Sequence, residues 1–312
     1  MRRIGLTLFI TLLLTALAIP GTAYAASTTI YMSPSGSDSA SGTSGSPVKS
    51  LQGVKRVLIN RGGDTATIMV RAGTYYETKM ASWNGIPQDH LNFRRDGSNR
   101  PVFDGRNLTG TARYWMSTAG GPSLDVRELL VRNYRTGGIR FDTDGNTVRN
   151  MFFERIGNRH VSGGPGYAAL HLLGSSKNTF NNIVFRNLEN SDCPGCVHGV
   201  YAANNSDSNT ISNSTFDRIT GDPVRFRHGT DNNTVTNNEF YRNGRPGTNR
   251  AEVSFWRFKS SETCGTNNRV TNNKYDGRYY SGGYGQAMIG SGSEPGVTRC
   301  SSAVSGSGNV RV

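Results

Sequence analysis

The sequence of 312 residues carries 35 lysines and arginines against 22 aspartates and glutamates, a formal net charge of +13. This excess of positive charge favours an anionic partner, and we expect an acidic polysaccharide. Charge alone is also compatible with nucleic acid or an acidic cell surface. The sequence contains no recognisable module in which basic residues alternate with stacking aromatic residues, so we predict no nucleic-acid partner.

The first 25 residues have the organisation of a secretory signal peptide. Arg2 and Arg3 precede an apolar run from Ile4 to Ile19, and Ala23–Ala25 forms a small-residue cleavage site. Cleavage would remove both arginines and lower the net charge from +13 to +11. No second apolar stretch is long enough to span a bilayer. We therefore predict a secreted, extracellular monomer without membrane insertion, in which residues 26–312 form one domain.

The segment from about residue 27 to residue 75 reads as an amino-terminal cap. Apolar residues between Pro47 and Ile59 recur at helical spacing and predict a short amphipathic helix. The apolar segment Ala66–Val70 is predicted to be the first strand, and a turn follows it. A helix in this position would cover an otherwise open sheet edge.

The central part of the chain, about residues 124–281, contains five copies of an eight-residue phrase. Its first and fifth residues are asparagines, its third is apolar and its eighth is aromatic. The copies are Asn146/Val148/Asn150/Phe153, Asn178/Phe180/Asn182/Phe185, Asn209/Ile211/Asn213/Phe216, Asn233/Val235/Asn237/Phe240 and Asn268/Val270/Asn272/Tyr275. Their starts lie 32, 31, 24 and 35 residues apart, which indicates repeated supersecondary units with loops of different length.

The phrase favours a stack of coils. Its apolar position fits a strand facing a core, and asparagine suits turns because it tolerates left-handed backbone angles. Stacked coils would pair each strand with its copy about 4.8 Å away and align the asparagine amides for hydrogen bonding. We therefore predict an all-β fold, a single-stranded right-handed parallel β-helix, with a Gly/Ser-rich carboxyl-terminal segment at residues 282–312.

The chain has four cysteines, and three disulfide pairings are formally open. Export makes disulfides plausible, and we favour Cys193 with Cys196 and Cys264 with Cys300. The competing interpretation is a four-thiolate metal site, but the second pair is 36 residues apart and lacks a Cys-x-x-Cys knuckle. The histidines at 90, 160 and 228 also lack the spacing of a metal site, so no metal is predicted.

The amino-terminal cap resembles that of secreted right-handed parallel β-helix proteins of the pectate-lyase-like superfamily. The resemblance rests on Tyr31-x-Ser-Pro-x-Gly-x-Asp38, a Gly/Ser loop, a helix, Gly63-Asp64-Thr65 and Val70-Arg-Ala-Gly-Thr-Tyr75. It implies the solenoid fold that the repeats predict independently, and activity on an acidic polysaccharide.

One coil carries a more specific resemblance. Val224–Gly229, followed by the repeat at Asn233, is similar to the Arg-His-Gly coil of alginate lyases and chondroitinase B. Those lyases carry a catalytic lysine one coil earlier, after a pair of calcium-binding glutamates, whereas the preceding coil here offers His198–Tyr201. The resemblance therefore implies the reaction class rather than the role of each residue. The acidic clusters of calcium-dependent pectate lyases are missing from the sequence, and no cofactor is predicted.

The strand before each phrase can be aligned by its two inward apolar positions, which predicts two outward columns because strand side chains alternate. The first column is Arg140, His171, Tyr201, Arg225 and Ser254; the second is Asp142, Leu173, Ala203, Arg227 and Trp256. Neighbours within a column would lie about 4.8 Å apart. His171, Tyr201 and Arg225 are then predicted to contact the same sugar ring.

These side chains suit elimination from a uronic-acid polymer, in which the proton on C5 becomes acidic once the adjacent carboxylate is neutralised. We assign Arg225 to that neutralisation, assisted by Arg227 or Arg140. Tyr201 is assigned to proton transfer, with His171 or His198 as its partner. Trp256 and Lys259 are further candidates for substrate binding.

Each candidate also has a purely structural interpretation. In that interpretation His171 is an ordinary surface histidine, Tyr201 is a cross-strand contact, and Arg225 and Arg227 form a solvated cationic face. Trp256 is then edge packing and Lys259 a solvated lysine. Only the convergence of the columns favours a site.

Three functional classes follow from the sequence. A polysaccharide lyase is preferred because charge, export, fold and columns agree. A glycoside hydrolase on the same fold would need two facing carboxylates, and Asp142, Asp222 and Glu252 lie on different coils. The third class is a carbohydrate-binding surface protein without catalytic activity.

Overall fold

The structure is a computed structural model that describes residues 27–109, 114–161, 166–246 and 251–312. The predicted signal peptide at residues 1–25 lies outside the described residues. Within them the chain crosses three parallel β-sheets in the same order on each turn, and every strand pairs with its counterparts in the neighbouring turns. The predicted parallel β-helix is confirmed.

The three sheets are named first, second and third in the order in which each coil crosses them. The first has ten described strands: Ser27–Met32, Thr65–Arg71, His90–Asp96, Ser123–Arg127, Thr147–Arg149, Thr179–Asn181, Thr210–Ser212, Thr234–Thr236, Asn268–Thr271 and Val304–Ser307. The second has nine: Thr74–Tyr75, Val102–Asp104, Leu130–Arg132, Phe152–Glu154, Val184–Leu188, Thr215–Ile219, Glu239–Tyr241, Lys274–Tyr275 and Val310–Arg311. The third has eight: Ala81–Ser82, Tyr114–Ser117, Gly137–Phe141, Ala168–Leu173, His198–Ala203, Val224–Arg227, Ala251–Arg257 and Ala287–Ser293.

The described residues form one α-helix, Leu51–Arg61, and two short 3-10 helices, Gly105–Asn107 and Pro194–Cys196. The α-helix begins four residues after the predicted start, because the Ser50 side chain caps it by accepting from Gly53 N. Four apolar residues of the helix are buried against the first coil, as its spacing predicted: Leu51, Val54, Val57 and Leu58.

The solenoid extends beyond the predicted limits of its coils at both ends. Strand Ser27–Met32 precedes the segment predicted as the first strand and pairs with Thr65–Arg71. At the other end, the Gly/Ser-rich segment forms a further coil that contributes one strand to each sheet. These end coils lack the asparagine phrase, which is why the sequence pattern did not include them.

The two asparagines of the phrase have different roles. The first asparagine is buried in every copy. Its side-chain Nδ2 donates to Oδ1 of the first asparagine in the next copy, over 2.7 to 2.8 Å, along the column Asn146, Asn178, Asn209, Asn233 and Asn268. The second has a positive φ between 52° and 57° in every copy, at Asn150, Asn182, Asn213, Asn237 and Asn272. One column therefore binds the coils together and the other turns the chain between the first and second sheets.

Disulfides join Cys193 to Cys196 and Cys264 to Cys300, with Cα atoms 5.3 Å and 5.4 Å apart. These are the pairings favoured from the sequence. The second disulfide attaches the final coil to the one before it. The first closes the short segment that leads into strand His198–Ala203.

We expect replacement of Asn209 by alanine to lower the free energy of unfolding by about 3 kcal/mol, because it leaves buried backbone and amide groups without partners. Asn209 accepts from both the backbone N and the Nδ2 of Asn178, and donates to Ser206 O and Asn233 Oδ1. Asn181→Ala is the control, since this half-buried residue makes one side-chain contact, to Ser212, on the outer face. Urea unfolding should separate the two variants; equal losses would contradict a special role for the buried column.

Candidate active site

The pairing register of the third sheet gives the first outward column in the order predicted from the sequence. Arg140 pairs with His171, His171 with Tyr201, Tyr201 with Arg225, and Arg225 with Ser254. In the second column Arg227 pairs with Trp256. The intervening apolar residues, such as Val200 and Phe226, are buried in the core.

A cleft of about 490 Å³ lies over this part of the sheet. Five of the eight predicted catalytic or substrate-binding residues line it: His198, Tyr201, Arg225, Arg227 and Trp256. Three do not. His171 lies below the surface, Arg140 is exposed one coil before His171, and Lys259 is exposed beyond the end of strand Ala251–Arg257.

His198 reaches the cleft because the start of its strand contains a β-bulge. The backbone N–H groups of Gly199 and Val200 both donate to Pro223 O, at 2.9 Å. A Cβ atom on Gly199 would lie 2.6 Å from the Phe216 ring, so this residue faces the core and only glycine fits there. Because Gly199 and Val200 both face the core, His198 lies on the same outer face as Tyr201, and the centroids of the two rings are 5.4 Å apart.

The His198 ring has a defined tautomer. Its Nδ1 lies 2.7 Å from the backbone carbonyl oxygen of Asp222, and a carbonyl can only accept. Nδ1 therefore carries a proton, and in the neutral ring the lone pair is on Nε2. This arrangement orients the imidazole as a proton acceptor at Nε2.

Tyr201 is oriented by a neighbouring guanidinium. Nη1 of Arg227 donates to the Tyr201 hydroxyl oxygen over 2.9 Å, and Arg227 forms an ion pair with Glu262. Because the phenolic oxygen accepts from Arg227, its own proton must point in another direction. Burial alone would raise the pKa of Glu262, but the hydrogen bond from Arg227 holds it below its usual value, so the carboxylate stays charged.

Arg225 is held by a carboxylate below the cleft. Its Nε and Nη2 atoms donate to one oxygen of Asp222, at 3.3 Å and 2.7 Å, and the Ser254 hydroxyl donates to the same oxygen. Asp222 is fully buried and 7% of Arg225 is exposed. Because a guanidinium has five N–H donors, the bonds to Asp222 leave others for a ligand.

Trp256 has a packing role in this structure. Cζ of Arg225 lies 5.1 Å from the centroid of its ring. The same ring lies so close to Gly292 that a Cβ atom there would overlap it. The indole therefore supports the Arg225 guanidinium.

His171 is buried under tyrosines. Its Nδ1 is 2.5 Å from the Tyr114 hydroxyl oxygen, and its ring stacks on Tyr167 and contacts the edge of Tyr201. Burial, together with the nearby Arg140 guanidinium, lowers the pKa of His171 to about 3. Both histidines are largely buried, but only His198 lines the cleft, whereas His171 lies beneath Tyr201 and supports it.

The carboxylates considered for a hydrolase do not face one another across the cleft. Asp142 accepts from the Thr118 hydroxyl and Gly120 N, and Asp222 is the buried partner of Arg225. Glu252 is fully buried beside Asn243, and burial raises its pKa well above the usual range. Two glutamates occur near the cleft instead: Glu294, which lines it, and Glu262, which is paired with Arg227.

Several site residues were missed in the sequence. Tyr167, Phe258 and Glu294 line the cleft but lie just outside strands of the third sheet, where the alternating pattern carries no information. Glu262 lies 35 residues after its partner Arg227, in a loop of the next coil. Tyr114 precedes the first copy of the repeated phrase, so no repeat aligned it with His171.

No group of histidine, cysteine, aspartate or glutamate side chains suitable for a metal ion occurs among the described residues. In the same part of the chain, no helix has the length and the apolar character required to cross a membrane.

Residues 115–301 match the family described as "Right handed beta helix region", and the chain therefore belongs to this family. Among solved structures it is similar to an alginate lyase from Paenibacillus sp. str. FPU-7, at 16% identity over 91% of this chain and 95% of that chain, with a TM-score of 0.53. It is also similar to a rhamnogalacturonan lyase, at 16% identity, 91% and 89% coverage and a TM-score of 0.49. A comparison with curated proteins gave no match.

These similarities concern the fold. They confirm the right-handed parallel β-helix fold that the repeats and the amino-terminal cap predicted.

The low pKa of His171 predicts a specific dependence of stability on pH. The unfolded chain takes up a proton at about pH 6.5 and the folded protein only near pH 3, so stability is lost as pH falls between these values. At pH 5 the loss relative to pH 7 should be roughly 2 kcal/mol. In His171→Asn this contribution is absent, and urea unfolding at both pH values should show a correspondingly smaller loss. Identical losses in the two proteins would contradict the burial of a neutral imidazole.

Proposed function

We propose that this protein is a secreted polysaccharide lyase that cleaves a uronic-acid-containing polysaccharide by β-elimination. The observation that carries the proposal is the meeting of His198, Tyr201 and Arg225 in one cleft on the outer face of the third sheet. The alginate lyase with a similar fold supports the same choice of reaction class.

In this proposal Arg225 binds the uronate carboxylate. Arginine stays charged and its planar donors match a carboxylate, which withdraws charge from the adjacent C5 and makes its proton more acidic. The ion pair with Asp222 offsets part of the positive charge but also fixes the guanidinium before substrate arrives. Recognition of the carboxylate then depends on the direction of the Arg225 N–H donors rather than on an unpaired positive charge.

His198 and Tyr201 carry the proton transfers. Nε2 of His198 takes the C5 proton, the C5–H electron pair forms the C4–C5 double bond, and the C4–O bond breaks. Tyr201 donates its proton to the departing oxygen, and Arg227 beside the phenolic oxygen stabilises the negative charge that develops there. No water is consumed, and the new non-reducing end is unsaturated.

The arrangement of the carboxylates favours elimination over hydrolysis. A hydrolase needs one carboxylic acid and one carboxylate on opposite sides of the bond. Glu262 is held as the charged partner of Arg227, and Asp222 is buried below Arg225. Export is part of the proposal as well: residues 1–25 supply the signal, and all four cysteines form disulfides, as is usual in oxidising compartments.

The test is to incubate the protein with a panel of acidic polysaccharides and to analyse the products by mass and ultraviolet absorbance. Unsaturated ends are expected, and His198→Ala, Tyr201→Phe and Arg225→Ala should each lower kcat/KM by about 100-fold or more. His90→Gln, a change on the remote first sheet, should leave the rate within about twofold of wild type.

Two results would contradict this function. Products heavier by one water without unsaturation would identify a hydrolase. Unchanged rates in all three cleft variants would remove these residues from the reaction.

A further inference from the structure

Two large aromatic side chains stand exposed at opposite ends of the cleft. Tyr167 is 46% exposed and Phe258 is 45% exposed, and both line the cleft. Tyr167 immediately precedes strand Ala168–Leu173, and Phe258 immediately follows strand Ala251–Arg257. Large apolar rings in water next to polar groups are a common sign of a binding surface.

Each ring is supported on one side by a residue of the site. The Tyr167 ring stacks on His171, with centroids 5.6 Å apart and planes 17° apart. Cζ of Arg227 lies 4.8 Å from the centroid of the Phe258 ring. These contacts fix the orientation of both rings while roughly half of each residue stays exposed.

The rings lie on either side of the reactive groups. Three coil steps separate their strands, because Ala168–Leu173 pairs with His198–Ala203, which pairs with Val224–Arg227, which pairs with Ala251–Arg257. At about 4.8 Å per step this is about 14 Å along the solenoid axis. One sugar unit of an extended polysaccharide is about as long as one step, so several units fit between the rings. Tyr201 and Arg225 belong to the two strands in the middle.

We propose that Tyr167 and Phe258 are sugar-stacking subsites on opposite sides of the bond that is cleaved, so that the enzyme acts within the polymer. The flat C–H face of a sugar ring is apolar and packs against an aromatic ring at low entropic loss. A substrate held at both ends extends through the cleft, and the chain is cut between occupied subsites. Cleavage between the subsites rests on the proposed function, whereas sugar binding at the two rings does not.

This assignment moves the sugar platform from Trp256, the sequence-based candidate, to Phe258. The Trp256 ring lies against Gly292 and supports Arg225, whereas Phe258, two residues later, is the aromatic side chain that extends into solvent.

Binding tests the subsites independently of catalysis. Affinity electrophoresis in gels containing alginate, polygalacturonate, rhamnogalacturonan or chondroitin sulfate measures the dissociation constant of each variant. Tyr167→Ala and Phe258→Ala should each weaken binding at least fivefold, and Tyr167→Phe, which keeps the ring, should retain wild-type affinity. Tyr76→Ala is the matched control, because Tyr76 is 51% exposed, lies beside Arg106 and is remote from the cleft.

Circular dichroism verifies the fold of each variant, and Tyr167→Leu substitutes for Tyr167→Ala if the alanine variant does not fold. Alanine variants that bind as tightly as wild type, or a wild-type protein that binds none of the polymers, would overturn the subsites. Binding that depends on both rings without any cleavage would retain the subsites and reject the lyase.

On a polymer that is cleaved, early products should range widely in size, and Tyr167→Ala and Phe258→Ala should raise KM on the polymer with little change in kcat. Release of only mono- or disaccharides from one end would contradict action within the chain.

Discussion

The buried asparagine column is the interaction on which the rest of the structure depends. Each amide donates to the next coil and accepts a backbone N–H from the previous one, as at Asn178 and Asn209. Since a buried amide without partners is unfavourable, the five coils that carry the phrase are held in the register that brings each asparagine against the next. A slip of one residue would also turn every outward side chain into the core. The column therefore fixes the register of the third sheet, although it lies outside that sheet, and so brings Tyr201 beside Arg225.

The site shows how a solenoid accommodates buried charge. Arg225 is almost completely buried, and a guanidinium in that position would be unfavourable without its bonds to Asp222. Asp222 also positions His198, because the backbone carbonyl oxygen of Asp222 accepts from His198 Nδ1. Asp222 therefore controls the orientation of two cleft residues on two coils, one by its side chain and one by its main chain. The ion pair between Arg227 and Glu262 does the same for Tyr201.

Sequence reasoning was effective where the structure is periodic. The phrase beginning at Asn146 predicted the fold, and alternation around Val200 and Phe226 predicted the outward column. It was ineffective where periodicity ends. The bulge at Gly199 depends on a carbonyl of the next coil, and Glu262 reaches Arg227 from a loop. The burial of His171 depends on Tyr114, whose coil precedes the first copy of the phrase. Such contacts join segments about 25 to 60 residues apart, and no local pattern records them.

The overall charge of the chain does not describe the charge of the cleft. The net charge of +13 suggested attraction of an acidic polymer, yet Arg225 and Arg227 are each paired with a carboxylate, and Glu294 also lines the cleft. Long-range attraction must then come from the arginines and lysines elsewhere on the surface, which act over about a Debye length, roughly 8 Å at physiological ionic strength. Under the proposed function, selection inside the cleft rests on the direction of N–H donors and on ring stacking. An acidic polymer would then be attracted by the general surface charge, but positioned by a few oriented groups that the stacked coils hold in place.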